Sequence, residues 1–427
     1  MRSPSPRFAS LLEKEWRGLL ASRSWWLLLF VIGPLTGRSF ISATRTYAEV
    51  SGLNGTAAGV GEAISPLIGV WAPTFSACAL AAAFLVPFVA IRIAVDDRQG
   101  GAPPFTAITA KAIIALAGWS VAMLIPLSAI VVWKYYGGTL YAPELITPTG
   151  GHILNAALTI ALAFAVASIA KRRVTAAILT LSVTVGAWIV SVVAPAHDGF
   201  WKRVETYTPA AMVADFQHGL VKLDTVLISL VLILTGLSFA AIWQVMGKSV
   251  KRRVVESVVL VCIAMIAVGA CRFVRSTWDT SESRGNSFTR ADERALRQIH
   301  DPLKIVVHMA PEDPRRADLD HNALSKLRRL LPNLDVQYVF TGPGYGEVWY
   351  FYGNRKAMSR VTTEEGVLET LYRLTGVAPP LASDEDGVFH GYPVAVPQKV
   401  AAAIFYSLWP GLVLLAGIMV RRKLKTI

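Results

Sequence analysis

Charge is scarce in this chain. Only 17% of its 427 residues are Asp, Glu, Lys or Arg, while 53% are hydrophobic. A soluble globular domain carries about 25% charged residues. A deficit of this size argues against an ordinary soluble protein and for a polytopic membrane protein. Cysteine is scarce too. Cys78, Cys262 and Cys271 fall in or beside apolar runs, which excludes a disulfide framework, a CxxC redox site or a cysteine zinc site in the polar part of the chain. There is no GxSxG and no HExxH, so two common hydrolase constellations are missing. Nor is there a GxxxxGK[ST] phosphate loop. The nearest glycine-rich stretch, GPGYGEVWY, lacks the lysine and does not lead into a helix. ATP hydrolysis by P-loop chemistry is therefore not expected of this polypeptide. Ionisable residues are almost absent from the middle of the apolar runs, since Arg38, Arg92, Glu256 and Arg272 sit towards run ends. Carriers driven by protons or sodium use buried carboxylates or histidines for coupling. The reading finds none, so the energy for any transport is expected to come from elsewhere.

What the chain does have is roughly eight apolar runs long enough to cross about 30 Å of hydrocarbon. They lie at about 24–43, 72–94, 111–133, 151–170, 174–194, 224–246, 254–273 and 400–420. Net charge is +13, yet residues 274–398 hold 15 Lys/Arg and 17 Asp/Glu, a balance of −2, so the remainder carries +15. The basic excess belongs to the apolar part, which argues against nucleic-acid binding and for flanks that obey the positive-inside rule. Alternate loops and both ends are basic: Arg7, Lys14, Arg17 and Arg23; Arg98 and Lys111; Lys171 to Arg173; Lys248 and Lys251 to Arg253; Arg421 to Lys423 and Lys425. With an even number of spans, all of these are expected on the cytoplasmic side. Trp71, Trp133, Tyr135, Tyr136 and Trp201 sit near the opposite ends, as an interfacial aromatic belt would.

The segment FASLLEKEWRGLLASRS repeats apolar residues every three and four positions, through Phe8, Leu11, Leu12, Trp16, Leu19 and Leu20. It reads as an amphipathic helix lying along the inner membrane surface, with a simple anchor and a partner surface both open readings. Its long charged stretch, with acids mixed in, does not resemble a signal peptide.

Residues 275–397 alternate strand and helix. RADERALRQIH follows Thr289 as N-cap, LKIVVHM is a buried strand, and Arg315 to Leu331 is a helix with Leu319, Ala323, Leu327, Leu330 and Leu331 on one face, stopped by Pro332. The turn APEDPRR precedes it, with Asp313 placed to cap. LDVQYVF is the next strand. EVWYFY and RKAMSRV flank Gly353-Asn354, a hairpin signal. A capping box from Thr362 to Glu365 opens the last helix, which ends at Gly376. His300, His308, His321 and His390 show no ligand spacing. DLDHN begins like a calcium loop but has Ala323 and Arg329 where Gly and Glu are required. Trp349 to Tyr352 read as core and sheet surface rather than a ligand shelf, and Asp384 to Asp386 as a solvated loop. No catalytic, cofactor or metal site is expected.

Three stretches together resemble the permeases of ABC-2 type transporters. LLEKEWRGLLASRSWWLLLFVIGPL resembles the helix that leads into their first span. LVPFVAIRIAVDDRQGG resembles their second span and the acidic-basic-glycine turn after it, with Asp where Glu is usual and a shorter continuation. YTPAAMVADFQHGLVKLDTVL resembles their short outer or re-entrant helix before the sixth span. Residues 254–420 resemble the auxiliary component of gliding-motility type ABC systems, on STWDTSESRGNSFTRADERALRQIHDPLKIVVHMAPED and a closing span that contains Pro410. The resemblance implies a surface helix at 1–23, a six-helix permease domain at 24–247, a seventh span at 254–273, an extracytoplasmic α/β domain at 275–397, an eighth span at 400–420 and a basic cytoplasmic tail at 421–427. It further implies a dimer of permease copies in a bacterial inner membrane, with membrane lipid around it, a periplasmic partner and a separate cytoplasmic ATPase. That ATPase would dock on Glu13, Lys14, Glu15, Trp16 and Arg17, and on Asp96, Asp97, Arg98 and Gly100. Three readings follow: an exporter subunit, a machine that relays ATPase motion to an envelope partner without transport, and a membrane-anchored enzyme or sensor. The missing catalytic constellations weigh against the third.

Overall fold

The computed structural model describes residues 8–50, 65–95, 103–170, 172–193, 200–201, 204, 208–274, 276–282, 284–340, 344–380, 394 and 396–425. It divides into two compact units, one formed by residues 1–189, 207–276 and 390–427, the other by residues 190–206 and 277–389.

Among the described residues, the first unit contains eight helices long and apolar enough to cross a membrane: Arg23–Val50, Leu67–Ala94, Pro104–Tyr135, Pro143–Ile169, Arg173–Ser191, Leu223–Gln244, Val250–Cys271 and Gln398–Lys423. They are numbered here as spans one to eight, and they make the chain a multi-pass helical membrane protein. A shorter helix, α1 (Phe8–Leu20), precedes span one, and another, α2 (Pro209–Gln217), precedes span six. Spans one to four are half buried or more, whereas only a small share of spans five, seven and eight is buried.

Two prolines coincide with breaks in the helices, while Pro34 and Pro148 lie inside unbroken ones. Span two breaks at Leu85 just before Pro87, and span three at Met123 just before Pro126. Pro87 has no N–H, so the Ala83 carbonyl loses its helical partner. Thr184 of span five donates its hydroxyl to that carbonyl at 2.9 Å. Thr184→Val keeps the shape and deletes the donor. It is expected to cost about 1 kcal/mol, read as a lower melting temperature of the detergent-solubilised protein, while Ser182→Ala, on an exposed hydroxyl that bonds only its own helix, leaves it unchanged.

Span eight is locked onto span one through two small residues. A Cβ on Gly33 would lie 2.3 Å from the Trp409 ring, and one on Gly37 2.2 Å from Phe405 Cβ. The Trp409 indole N–H also donates to the Leu29 carbonyl at 2.7 Å. Close approach at a Gly-xxx-Gly ridge is how helices gain dispersion contact where lipid offers no hydrophobic drive. Two of the belt aromatics turn out to be core. Trp71 and Trp133 are fully buried, edge to face at 5.8 Å, with Tyr47 and Phe40 beside them. Tyr135 is exposed.

The second unit is a two-layer α/β fold. Its helices and strands are α3 (Arg290–Leu296), β1 (Leu303–Val307), α4, β2 (Leu334–Tyr338), β3 (Val348–Tyr352), β4 (Arg355–Ser359) and α5 (Glu364–Thr375). The helix α4 is made of Pro314–Leu319, a π-helical turn Asp320–Leu324, and Ser325–Leu330. The sheet order is β2-β1-β3-β4, with β1 and β2 parallel and the other pairs antiparallel. Parallel neighbours need a crossover, and α4 supplies it. Ile305, Val307, Val348 and Tyr350 pack against Leu319, Leu324, Leu327, Val367 and Leu371.

The caps explain the helix starts. Thr289 accepts from Asp292 N–H, and Asp313 from Arg315 N–H. Arg315 beside Asp313, with the Tyr345 hydroxyl, holds the Asp313 carboxyl well below the usual carboxylate range. The stability this carboxylate lends is complete above the ordinary pKa and is lost only as pH falls through the depressed one. The last helix corrects the sequence reading by one residue: Thr363, not Thr362, is the cap, accepting from Gly366 N–H. Gly376 ends it at φ +79°, the left-handed conformation that a glycine reaches without strain.

Candidate functional site

At one end of the first unit α1 turns its apolar side inward and its charges outward. Leu19 is fully buried, Leu12, Trp16 and Leu20 pack against the core, and Trp16 meets Trp25 edge to face at 6.4 Å. Glu13 and Arg17, one turn apart, form an exposed ion pair at 2.6 Å. Lys14 and Glu15 complete the charged side. All five residues of the expected docking patch on this helix are therefore present on one short element, with Trp16 as its anchor and Glu13 and Arg17 as its free face.

The helix does not simply lie beside span one. It packs chiefly on the first half of span three, and Leu19 reaches Gly118. The Trp25 indole donates to the Gly118 carbonyl at 3.2 Å, which sets the first turn of span one level with residue 118. Fourteen residues separate Pro104 from Gly118, about 21 Å of helix. Span three is thus longer than the hydrocarbon requires, and its leading part projects beyond the start of span one to form a shelf for α1.

Lys111 sits inside that shelf. It is buried, and its ammonium donates to the Ile93 carbonyl at 2.9 Å. The bond clamps the end of span two to the start of span three, at either side of the turn that carries the second expected patch. Asp96, Asp97, Arg98 and Gly100 lie outside the described residues, but their two stems, at Val95 and Pro103, belong to helices that α1 contacts.

The interior of the spans corrects a second expectation. Lys111, Glu144 and His152 are all buried within helical spans. Span four begins at Pro143 rather than near 151, because TPTGG, which looks like a helix breaker, is itself helical. His152 consequently lies about 14 Å into the helix. It is wholly buried. Its ring stacks on Phe75 at 5.7 Å, and the Gln217 side-chain nitrogen lies 3.0 Å from Nε2. With the amide donating, the imidazole hydrogen belongs on Nδ1, which has no partner among the described residues. Gln217 closes α2, whose Phe216 sits over Gly151 so tightly that a Cβ there would lie 2.5 Å away. Pro209–Gln217 is thus a short helix, capped by Thr208, seated on span four.

Among the described residues no group of three or more His, Cys, Asp or Glu could hold a metal. The calcium-like DLDHN runs from the α-helical Pro314–Leu319 into the π turn of α4, where Asp320 accepts from the Tyr338 hydroxyl. Burial, followed by the adjacent Asp320, pushes Tyr338 up to about 12. Neither the chain nor its structure matches any family model, curated protein or solved structure.

Proposed function

We propose that this chain is the membrane permease subunit of an ATP-driven ABC transporter, exporting its substrate with energy from a separate cytoplasmic ATPase. The observation that carries the reading is the shelf at the end of spans one to three. A helix with a half-buried Trp anchor, a fully buried Leu19 and an outward ion pair is seated on two spans joined by a buried lysine. A partner pressing on such a helix moves the spans beneath it as a body, because a close-packed interface passes displacement on rather than absorbing it. On the sequence's resemblance to ABC-2 type permeases, the ATPase docks at this end. The eight apolar helices fit a multi-pass protein of the bacterial inner membrane with both ends in the cytoplasm and a second copy as partner. In that orientation the α/β unit faces the periplasm, between spans seven and eight.

A second reading keeps the ATPase and drops the substrate: the machine relays motion to an envelope partner through the α/β unit. That unit favours it by having a core of its own, independent of the spans. Reconstitution into proteoliposomes with the co-purified ATPase tests both. ATP-dependent flux of solute upholds export. ATP hydrolysis without flux, lost when α1 is altered, upholds the relay. A protein that purifies from native membranes with no ATPase attached overturns both.

A further inference from the structure

Among the described residues, the α/β unit covers one face of its sheet with helices and leaves the other without a helical layer. Strand alternation and register place eight side chains on that bare face in two rows. One row runs Asp335, Lys304, Phe351, Lys356, and the next Gln337, Val306, Trp349, Met358. The two aromatic rings occupy the middle. They lie 6.4 Å apart and within 22° of parallel, both half-buried, and together make one aromatic shelf. The shelf is held before any ligand arrives. The Trp349 indole donates to Glu347 Oε2 at 3.2 Å, and Arg360 holds Glu347 Oε1 at 3.0 Å. Arg360 beside Glu347 also keeps that carboxyl ionised below its ordinary range.

Two ammonium groups bracket the shelf. Lys304 and Lys356 flank Phe351 two strand spacings apart, about 10 Å, and neither has a carboxylate partner among the described residues. Lys356 instead sits 5.8 Å from the Trp349 ring centre. Cations without an ion pair beside half-exposed rings, in a region whose overall balance is −2, call for a ligand with flat C–H faces and sparse negative charge. Nucleic acid needs a denser basic stripe. An acidic peptide would leave the rings unused.

We propose that this sheet face binds a carboxylate-bearing glycan, its sugar rings lying on Trp349 and Phe351 and its carboxylates on Lys304 and Lys356. Ring faces carry the negative lobe of the π quadrupole, which attracts polarised C–H groups, and the ammonium groups read the acid. The proposal deepens the relay reading, on which its periplasmic setting rests, by naming the chemistry of the envelope partner. The binding itself is independent of any ATPase.

The test uses the full chain in detergent, without ATPase, and oligogalacturonate as the probe. Maltooligosaccharide, poly-glutamate and anionic phospholipid vesicles serve as comparisons. Binding to oligogalacturonate is expected, with maltooligosaccharide weaker. Phe351→Gln and Lys304→Gln/Lys356→Gln are each expected to weaken it by about tenfold or more, with Arg328→Gln, on a cation away from this face, unchanged. Trp349→Phe, which keeps a ring but loses the Glu347 bond, is expected to fall between, and it secures the test should a ring deletion fail to fold. No binding, equal binding of poly-glutamate or vesicles, or binding insensitive to Phe351 overturns the proposal. Loss of ATP-dependent activity in the reconstituted system with glycan binding intact would instead count against the functional reading alone.

Discussion

Leu324→Ala is expected to destabilise the α/β unit by about 2–5 kcal/mol. Leu324 is fully buried, at the end of the π turn in α4, between the sheet and the last helix. Deleting its three outer carbons removes transfer free energy and leaves a cavity that the surrounding residues fill only in part. The π turn makes relaxation harder. It is flanked by Tyr338, whose hydroxyl is already committed to Asp320 and Arg328, and by Arg316, which lies 4.0 Å from the Tyr338 ring and donates to the Met309 carbonyl. These groups cannot shift without breaking bonds. Amide hydrogen exchange on the full chain measures the effect: protection in β1 and α5 is expected to fall by about 30-fold to several thousandfold, with the spans unaffected. Met358→Ala, on the bare face, is expected to stay within about 0.5 kcal/mol. An effect below 1 kcal/mol for Leu324 would mean that the helices and sheet do not share one core.

The α/β unit was the most legible part of the sequence, because strand alternation, turn glycines and caps are local signals. LKIVV and VWYFY form strands, Gly353-Asn354 turns the hairpin, and Gly376 ends the helix. The one-residue error at the last helix has an equally local cause. Thr362 and Thr363 are both competent caps, and the box with Glu365 favoured the wrong one. Span number was legible from apolar length alone, since the bilayer sets that length. What sits inside the bundle was not. His152 and Lys111 looked like flanks because helix ends are set by packing, and the sequence marks them weakly. TPTGG carries two glycines and a proline, yet it runs as helix because span two and α2 hold it there. Trp71 and Trp133 have the position of belt residues and the burial of core ones, and only the packing of spans one, two and three distinguishes the two. Of the docking patch, the helix was legible and its seat was not: amphipathicity shows that a helix buries one side, never against what.

That seat gives the prediction with the largest functional effect. The exchange Glu13→Lys/Arg17→Glu inverts the charge pattern on α1 and keeps an ion pair at the same spacing. An exposed pair of this kind is worth about 0–1 kcal/mol, and reversing its order along the helix costs a few tenths. The protein should therefore fold and insert as before, with an unchanged melting temperature. A partner that reads the pattern meets like charges instead, which costs several kcal/mol across an interface. Retention of the proposed ATPase partner in pull-downs from native membranes is expected to fall by about tenfold to a hundredfold. Trp16→Ala acts by another route. It removes the edge-to-face contact with Trp25 and loosens the helix from its shelf, so both melting temperature and partner retention should drop. The two variants together separate recognition from seating. If the charge inversion leaves partner binding intact while Trp16→Ala abolishes it, α1 is a structural strut and the docking surface lies elsewhere. If neither changes it, no force reaches the spans through this helix.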